Sequence, residues 1–186
     1  ISNYHYVLWY KDDRTILIKH EEYEYHWLRF HRNDIPKWVY FSSISKNALE
    51  YHDDVASWLK KHPDVKLAFQ PGTFQIEAGV ERLKELYART EVLVLNREEA
   101  VIVTGGDYHD IHGMLNTLHG YGCKIVVITD GPDGAYASDG ENRFKMPNYP
   151  DPAPPFERTG AGDSFASCFV AALAKGSTLE GALLWA

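Results

Sequence analysis

The chain has 186 residues, 45% of them apolar and 24% charged, with a formal net charge of -7. That length supports one domain with a well-buried core. The acidic balance argues against nucleic acid or an anionic membrane surface as partner, and no apolar run is long enough to span a bilayer.

In chain order, Tyr4 to Tyr10 and Thr15 to His20 read as strands rich in aromatic and β-branched residues, and Lys11-Asp12-Asp13 supplies the turn of a hairpin. Its edge offers a surface for pairing in a homodimer. Tyr23 to His31 is aromatic and charged without clean periodicity. Stacking on a sugar or base is open to it, but packing is the commoner use of such residues. From Trp38 the pattern changes. Trp38 to Phe41 is a short apolar run, and Ser42 to Ser45 carry loop and cap chemistry. Tyr51, Val55, Trp58 and Leu59 sit at helical spacing. Val65 to Phe69 is a strand ended by Gln70-Pro71-Gly72, and Val80, Leu83, Leu86 and Tyr87 mark a second helix. Val92 to Leu95 is the next strand. Asn96 and a short helix through Val101 follow, broken by Gly105-Gly106. Ile111, Met114, Leu115 and Leu118 mark a further helix, closed by Gly120 and Gly122, and Ile125 to Thr129 is a strand again.

Nearly continuous apolar strands separated by helices predict a parallel sheet covered on both faces, with right-handed crossovers. Ala135 to Ala137 and Arg143 to Met146 follow as a hairpin turned at Asp139-Gly140. Pro147 to Pro155 must be extended loop. The last helices run from Ser164 to about Lys175, with little polar face, and from Thr178 onward. Cys123 and Cys168 are far apart and fit no metal or redox spacing, so the expectation is buried reduced thiols in a cytoplasmic protein. His109 and His112 lack a third metal ligand nearby in sequence and read as solvated. The chain begins at Ile1 and stops at Ala186 inside an apolar helical pattern without a stop signal, so a fragment of a longer protein is expected.

In open parallel α/β sheets, ligands gather beyond the carboxyl ends of the strands. Gln70 to Thr73, Asn96 to Glu99 and Thr129 to Gly134 fall there in this reading. Gly160, Ala161 and Gly162 form a small-residue loop running into an apolar helix that starts near Asp163. Such a loop lets an anion approach unpaired helix amides and the positive end of the dipole. A carboxylate beside it suits a base that takes a proton from a hydroxyl attacking phosphorus. A glycine turn capped by Asp163 explains the same letters. For Asn96 to Glu99, a helix start with Asn96 as cap and Glu99 completing a capping box is open. For Thr129 to Ala135, a hairpin turn accounts for both glycines.

The string Thr159-Gly160-Ala161-Gly162-Asp163-Ser164-Phe165 resembles the second signature, T-G-A-G-D-x-F, of the ribokinase-like (PfkB) carbohydrate kinase family. The resemblance implies a three-layer ribokinase-like α/β fold with a mainly parallel central sheet and helices on both faces. It implies Asp163 as catalytic base, and the amides of Gly160, Ala161 and Gly162 as anion hole for the moving phosphoryl group. Asn96 to Glu99 matches the family's N-x-x-E motif, which implies that Asn96 and Glu99 organise magnesium-bound water around the phosphates; Mg²⁺ keeps several waters and is often held indirectly. Thr129, Gly131 and Gly134 match T-x-G-x-x-G-A, a segment that lies along ATP, and Thr159 joins that nucleotide-binding set. The implied cofactors are ATP and Mg2+, with a monovalent cation at neighbouring carbonyls; Glu157 stands where the family often has Asp. Gln70-Pro71-Gly72 departs from the family's D-x-N-like string, so no sugar contact is carried over to it. Residues 1–22, with Arg14, would form a lid-type hairpin over the sugar, and residues 37–186 the α/β core with the ATP and phosphoryl-transfer site. The family's amino-terminal glycine-rich motif and the segment closing over adenine have no counterpart in these residues. The expected activity is ATP-dependent phosphorylation of a sugar or nucleoside hydroxyl. A nucleotide-binding module without catalysis is the alternative. A dinucleotide-dependent oxidoreductase is disfavoured, because no strand is followed by G-x-G-x-x-G.

Overall fold

The computed structural model describes residues 4–10, 13–19, 21, 23–31, 33–150 and 159–186, with the backbone alone for residues 9, 10, 13, 14 and 18. The expected turn residues Lys11 and Asp12, the Arg14 side chain, Glu157, Arg158 and the proline-rich stretch beyond Pro150 lie outside the described residues.

Strands β1 (Tyr4–Tyr10) and β2 (Asp13–Lys19) form an antiparallel sheet of their own, with Tyr6 opposite Leu17 and Val7 opposite Ile16. Tyr6, Leu8 and Leu17 remain exposed on it. The main sheet has the order β3-β4-β5-β6-β7-β8. Strands β3 (Trp38–Phe41), β4 (Lys66–Phe69), β5 (Thr90–Asn96) and β6 (Ile125–Thr129) run parallel. Strands β7 (Ala135–Ser138) and β8 (Arg143–Met146) extend the sheet antiparallel. Each crossover between parallel strands carries helix: α1 (Leu49–Lys61), then α2 (Thr73–Ala78) and α3 (Val80–Arg89), then α4 (Arg97–Thr104) and α5 (Ile111–Gly120). Helices α6 (Ala161–Ala174) and α7 (Leu179–Trp185) close the described chain.

The layers follow from the two-residue period of a strand. In β5, Leu93 and Leu95 pack with Val55, Leu59, Leu86, Met114 and Leu118 in the larger core. Val92 and Val94 point the other way, into a core with Phe169, Ala172 and Leu183 of α6 and α7. Burial on both faces is why these strands read as unbroken apolar runs.

Three segments differ from the sequence expectation. Helix α2 is absent from it, because Pro71-Gly72 reads as a stop. Gln75 holds this helix by one local and two long-range contacts: its Oε1 accepts from the Gly72 amide at 2.8 Å, and its Nε2 meets Ser42 O at 3.2 Å and His52 Nε2 at 3.1 Å. Gly72 is needed there, since a Cβ would lie 2.1 Å from Ser43 Oγ. Ser45 precedes a 3-10 turn, and its hydroxyl donates to Asn47 Oδ1 rather than capping backbone. Helix α6 begins at Ala161, three residues before the expected start. The aperiodic aromatic stretch is a packing segment: Trp27 lies 5.4 Å from the Trp58 ring and Phe30 lies 5.1 Å from it. Cys123 is buried and Cys168 half-buried, both free.

Candidate functional site

The carboxyl ends of β4, β5 and β6 bring the polar stretches to one edge. Asn96 pairs with Thr129 in the parallel ladder, so the chains leaving β5 and β6 start level with each other. Gln70 leaves β4 with its amide bonded to Phe41 O of β3 at 2.9 Å. Helix α6 arrives at the same edge from the opposite face. Gln70 Nε2 donates to Asp163 Oδ1 at 2.9 Å, joining residues 93 positions apart.

Gly160 sits in the left-handed region at φ 81 and opens α6 without a side-chain cap. The first intrahelical bond runs from Ser164 N to Gly160 O, so the amides of Ala161, Gly162 and Asp163 precede it and have no partner within the helix. A Cβ on Gly160 or Gly162 would meet nothing within 4 Å. Among the described residues nothing crowds the side-chain side of these two glycines, which suits a loop that an anion approaches. Asp163 is the third helical residue and exposed. Its carboxylate reaches across to Gln70 rather than back to the helix start, so the capped-turn explanation does not describe it. Thr159 precedes this bend and is exposed.

Asn96 and Glu99 form a reciprocal capping box: Glu99 N donates to Asn96 Oδ1 at 2.8 Å, and Asn96 N to Glu99 Oε2 at 2.9 Å. Burial pushes the Glu99 carboxyl above the usual range; the Asn96 amide pulls it down, while Glu98 and Asp163 add to the rise. The Tyr40 hydroxyl is pushed up to about 12, by burial first and then by Asp163. Asp163 is thus within electrostatic reach of groups on both β3 and α4.

The loop after β6 is more enclosed. Asp130 N donates to Gly134 O at 2.8 Å, and the buried Asp130 carboxylate pairs with Arg97 at 2.6 Å. Arg97 also donates from Nε to Tyr108 O at 2.8 Å and lies 4.1 Å from the Tyr108 ring centroid. Gly134 has φ 90, and a Cβ on it would fall 2.0 Å from Met146 O. Gly131 has φ 51 and open space above it, while its carbonyl accepts from Asn148 at 2.8 Å. Thr129 is half-buried at the strand end. Among the described residues no group of three His, Cys, Asp or Glu could hold a metal directly, and no helix is long and apolar enough to cross a membrane.

Sequence reasoning missed Tyr40 and Arg97, and gave Gln70 no role. Arg97 and Asp130 each follow a residue of the Asn96–Thr129 pair, so their opposite charges would have signalled contact once the strand register was known.

Comparison with known proteins follows this geometry. The family model described as pfkB family carbohydrate kinase matches residues 11–186. The chain is 38% identical over 99 residues to a cytidine kinase of Thermococcus kodakarensis, covering 53% of this chain and 34% of that protein. It is 30% identical over 154 residues to an ATP-dependent 6-phosphofructokinase of Thermoanaerobacterium thermosaccharolyticum, covering 79% and 47%. The chain therefore spans about a third to a half of the length of these curated relatives. In structure it is similar to Arabidopsis thaliana ribokinase complexed with ribose and ATP, with a TM-score of 0.74 at 21% identity, over 97% of this chain and 59% of that one. That likeness establishes the fold.

Proposed function

Because this chain belongs to the pfkB family of carbohydrate kinases, we propose that it carries the phosphoryl-transfer edge of an ATP-dependent kinase whose acceptor is a hydroxyl of a sugar or nucleoside. The observation that carries this reading is the carboxylate of Asp163, standing on the first turn of α6 beside amides that have no partner within the helix. The acceptor oxygen attacks the terminal phosphorus of ATP, its proton passes to Asp163, and the bond to the bridging oxygen breaks with its electron pair leaving on ADP. The amides of Gly160, Ala161 and Gly162 stabilise charge on the transferring group. Thr129, Gly131, Gly134 and Thr159 lie along the nucleotide. The donors of Asn96 and Glu99 fit magnesium held through water: they are oxygens, and the capping box engages only Oε2 of the Glu99 carboxylate. When bound, Mg²⁺ would neutralise phosphate charge. The β1–β2 hairpin serves as lid over the acceptor. A sugar or nucleoside acceptor is supported by relatives named as a cytidine kinase and a 6-phosphofructokinase.

In the whole protein, Asp163→Asn is expected to lower kcat by roughly 10²–10⁴ while ATP affinity, read by calorimetry, is unchanged. Near wild-type turnover would remove the base assignment. The second reading is a nucleotide-binding module without catalysis. Calorimetry with ATP and Mg²⁺ that finds binding, without phosphate transfer to any sugar or nucleoside, would favour it.

A further inference from the structure

We propose that Gln70 is a positioning residue for the base, and that the Tyr40 hydroxyl braces the Gln70 amide from its oxygen end. The inference rests on the reading of Asp163 as base. The Tyr40 hydroxyl donates to Gln70 Oε1, and Gln70 Nε2 donates to Asp163 Oδ1 at 2.9 Å. Only this orientation of the amide makes both contacts donor-to-acceptor. Turned over, it would set a carbonyl oxygen against the acceptor-only carboxylate, and the Tyr40 hydroxyl would have to become an acceptor. The carboxylate therefore sets the way the amide faces, and the hydroxyl donates to the oxygen at its other end.

The support for this chain of contacts is rigid. Tyr40 lies on β3, paired with Ala68 of β4. The Gln70 amide is tied to Phe41 O at 2.9 Å. Pro71 is buried behind it, and Gly72 is pressed onto Ser43. Asp163, by contrast, is an exposed side chain on the first turn of a helix that begins at a left-handed glycine. Left to itself it would sample several rotamers. A bond from a fixed strand end selects one, and a carboxylate held at Oδ1 presents Oδ2 to the acceptor. Orientation of this kind is a recognised part of catalytic rate, since a displacement of about 1 Å can cost about a hundredfold. The Gln70 amide also carries no charge, so it orients the carboxylate without an ion pair.

The test is a double-mutant cycle on kcat in the whole protein. Gln70→Leu is expected to lower kcat about tenfold to a hundredfold, with KM for ATP and the thermal midpoint little changed. Tyr40→Phe is expected to lower kcat by a smaller factor. The double variant should be no slower than Gln70→Leu alone, because Tyr40 acts only through Gln70. Multiplying effects, or an unchanged kcat in Gln70→Leu, would overturn the inference. Should Gln70→Leu lose thermal stability, Gln70→Glu keeps the shape and sets a second carboxylate against Asp163; full kcat in that variant overturns the inference equally. The two failures separate cleanly. An active Asp163→Asn removes the base itself, whereas an inactive Asp163→Asn with an unaffected Gln70→Leu removes only the positioning role.

Discussion

Two glycine-bearing loops stand at the same edge of the sheet, and they differ in what surrounds them. In the loop after β6, Asp130 is consumed by Arg97, Gly134 is pressed against Met146 O, and the Gly131 carbonyl is taken by Asn148. At the start of α6, a Cβ on Gly160 or Gly162 would meet none of the described residues within 4 Å. The first loop shows why a glycine motif is weak testimony by itself: Gly134 would be required there whatever the protein bound. In the second, the left-handed φ explains Gly160, but Gly162 has no packing reason among the described residues to be small. A small residue without a packing reason, beside amides that have no partner within their helix, is the stronger pointer to a ligand.

Breaking the enclosed loop is expected to give the largest stability effect. Arg97→Met leaves the buried Asp130 carboxylate without its cation and should cost about 3–5 kcal/mol, measured by denaturant unfolding. Gly134→Ala must move backbone and adopt φ 90, so a loss of about 2–4 kcal/mol is expected in the same assay. Gly162→Ala sharpens the contrast. It is free of clash and sits in a helix, so it should gain roughly 0.5–1 kcal/mol while lowering turnover. Equal destabilisation by Gly134→Ala and Gly162→Ala would erase the distinction between the loops.

The smallest effect concerns Glu99. Its folded carboxyl is held above the ordinary range, chiefly by burial. A raised folded value means the ionised form is disfavoured in the fold. Its stability contribution is therefore fully present below the unfolded pKa and lost as pH rises through the folded one. Glu99→Gln should raise the thermal midpoint at neutral pH by on the order of 2 °C, a gain that vanishes on acidification below the carboxylate range, and should slow turnover.

The parallel strands were legible because burial on both faces leaves a local mark, an unbroken apolar run. Helix α2 was not, since Gln75 is fixed by Ser42 and His52, whose nearness no local pattern encodes. The motif residues at the sheet edge could be named from their letters. The Gln70–Asp163 bond could not, because it joins the end of β4 to the first turn of α6 and exists only once the sheet has ordered its strands. Tyr40 lay inside a short apolar run and gave no sign of its hydroxyl's partner.

The alternation in β5 has a mechanical meaning. Asp163 rides on the α6–α7 layer, which leans on Val92 and Val94, while Glu99 rides on the layer that leans on Leu93 and Leu95. One strand is the partition between the two halves of the site, and neighbouring residues on it tune opposite sides. Trimming Val94 would slacken the seat of the acid, and trimming Leu95 the seat of the capped helix. The distance between the two carboxylates is thus set by side chains that touch neither of them.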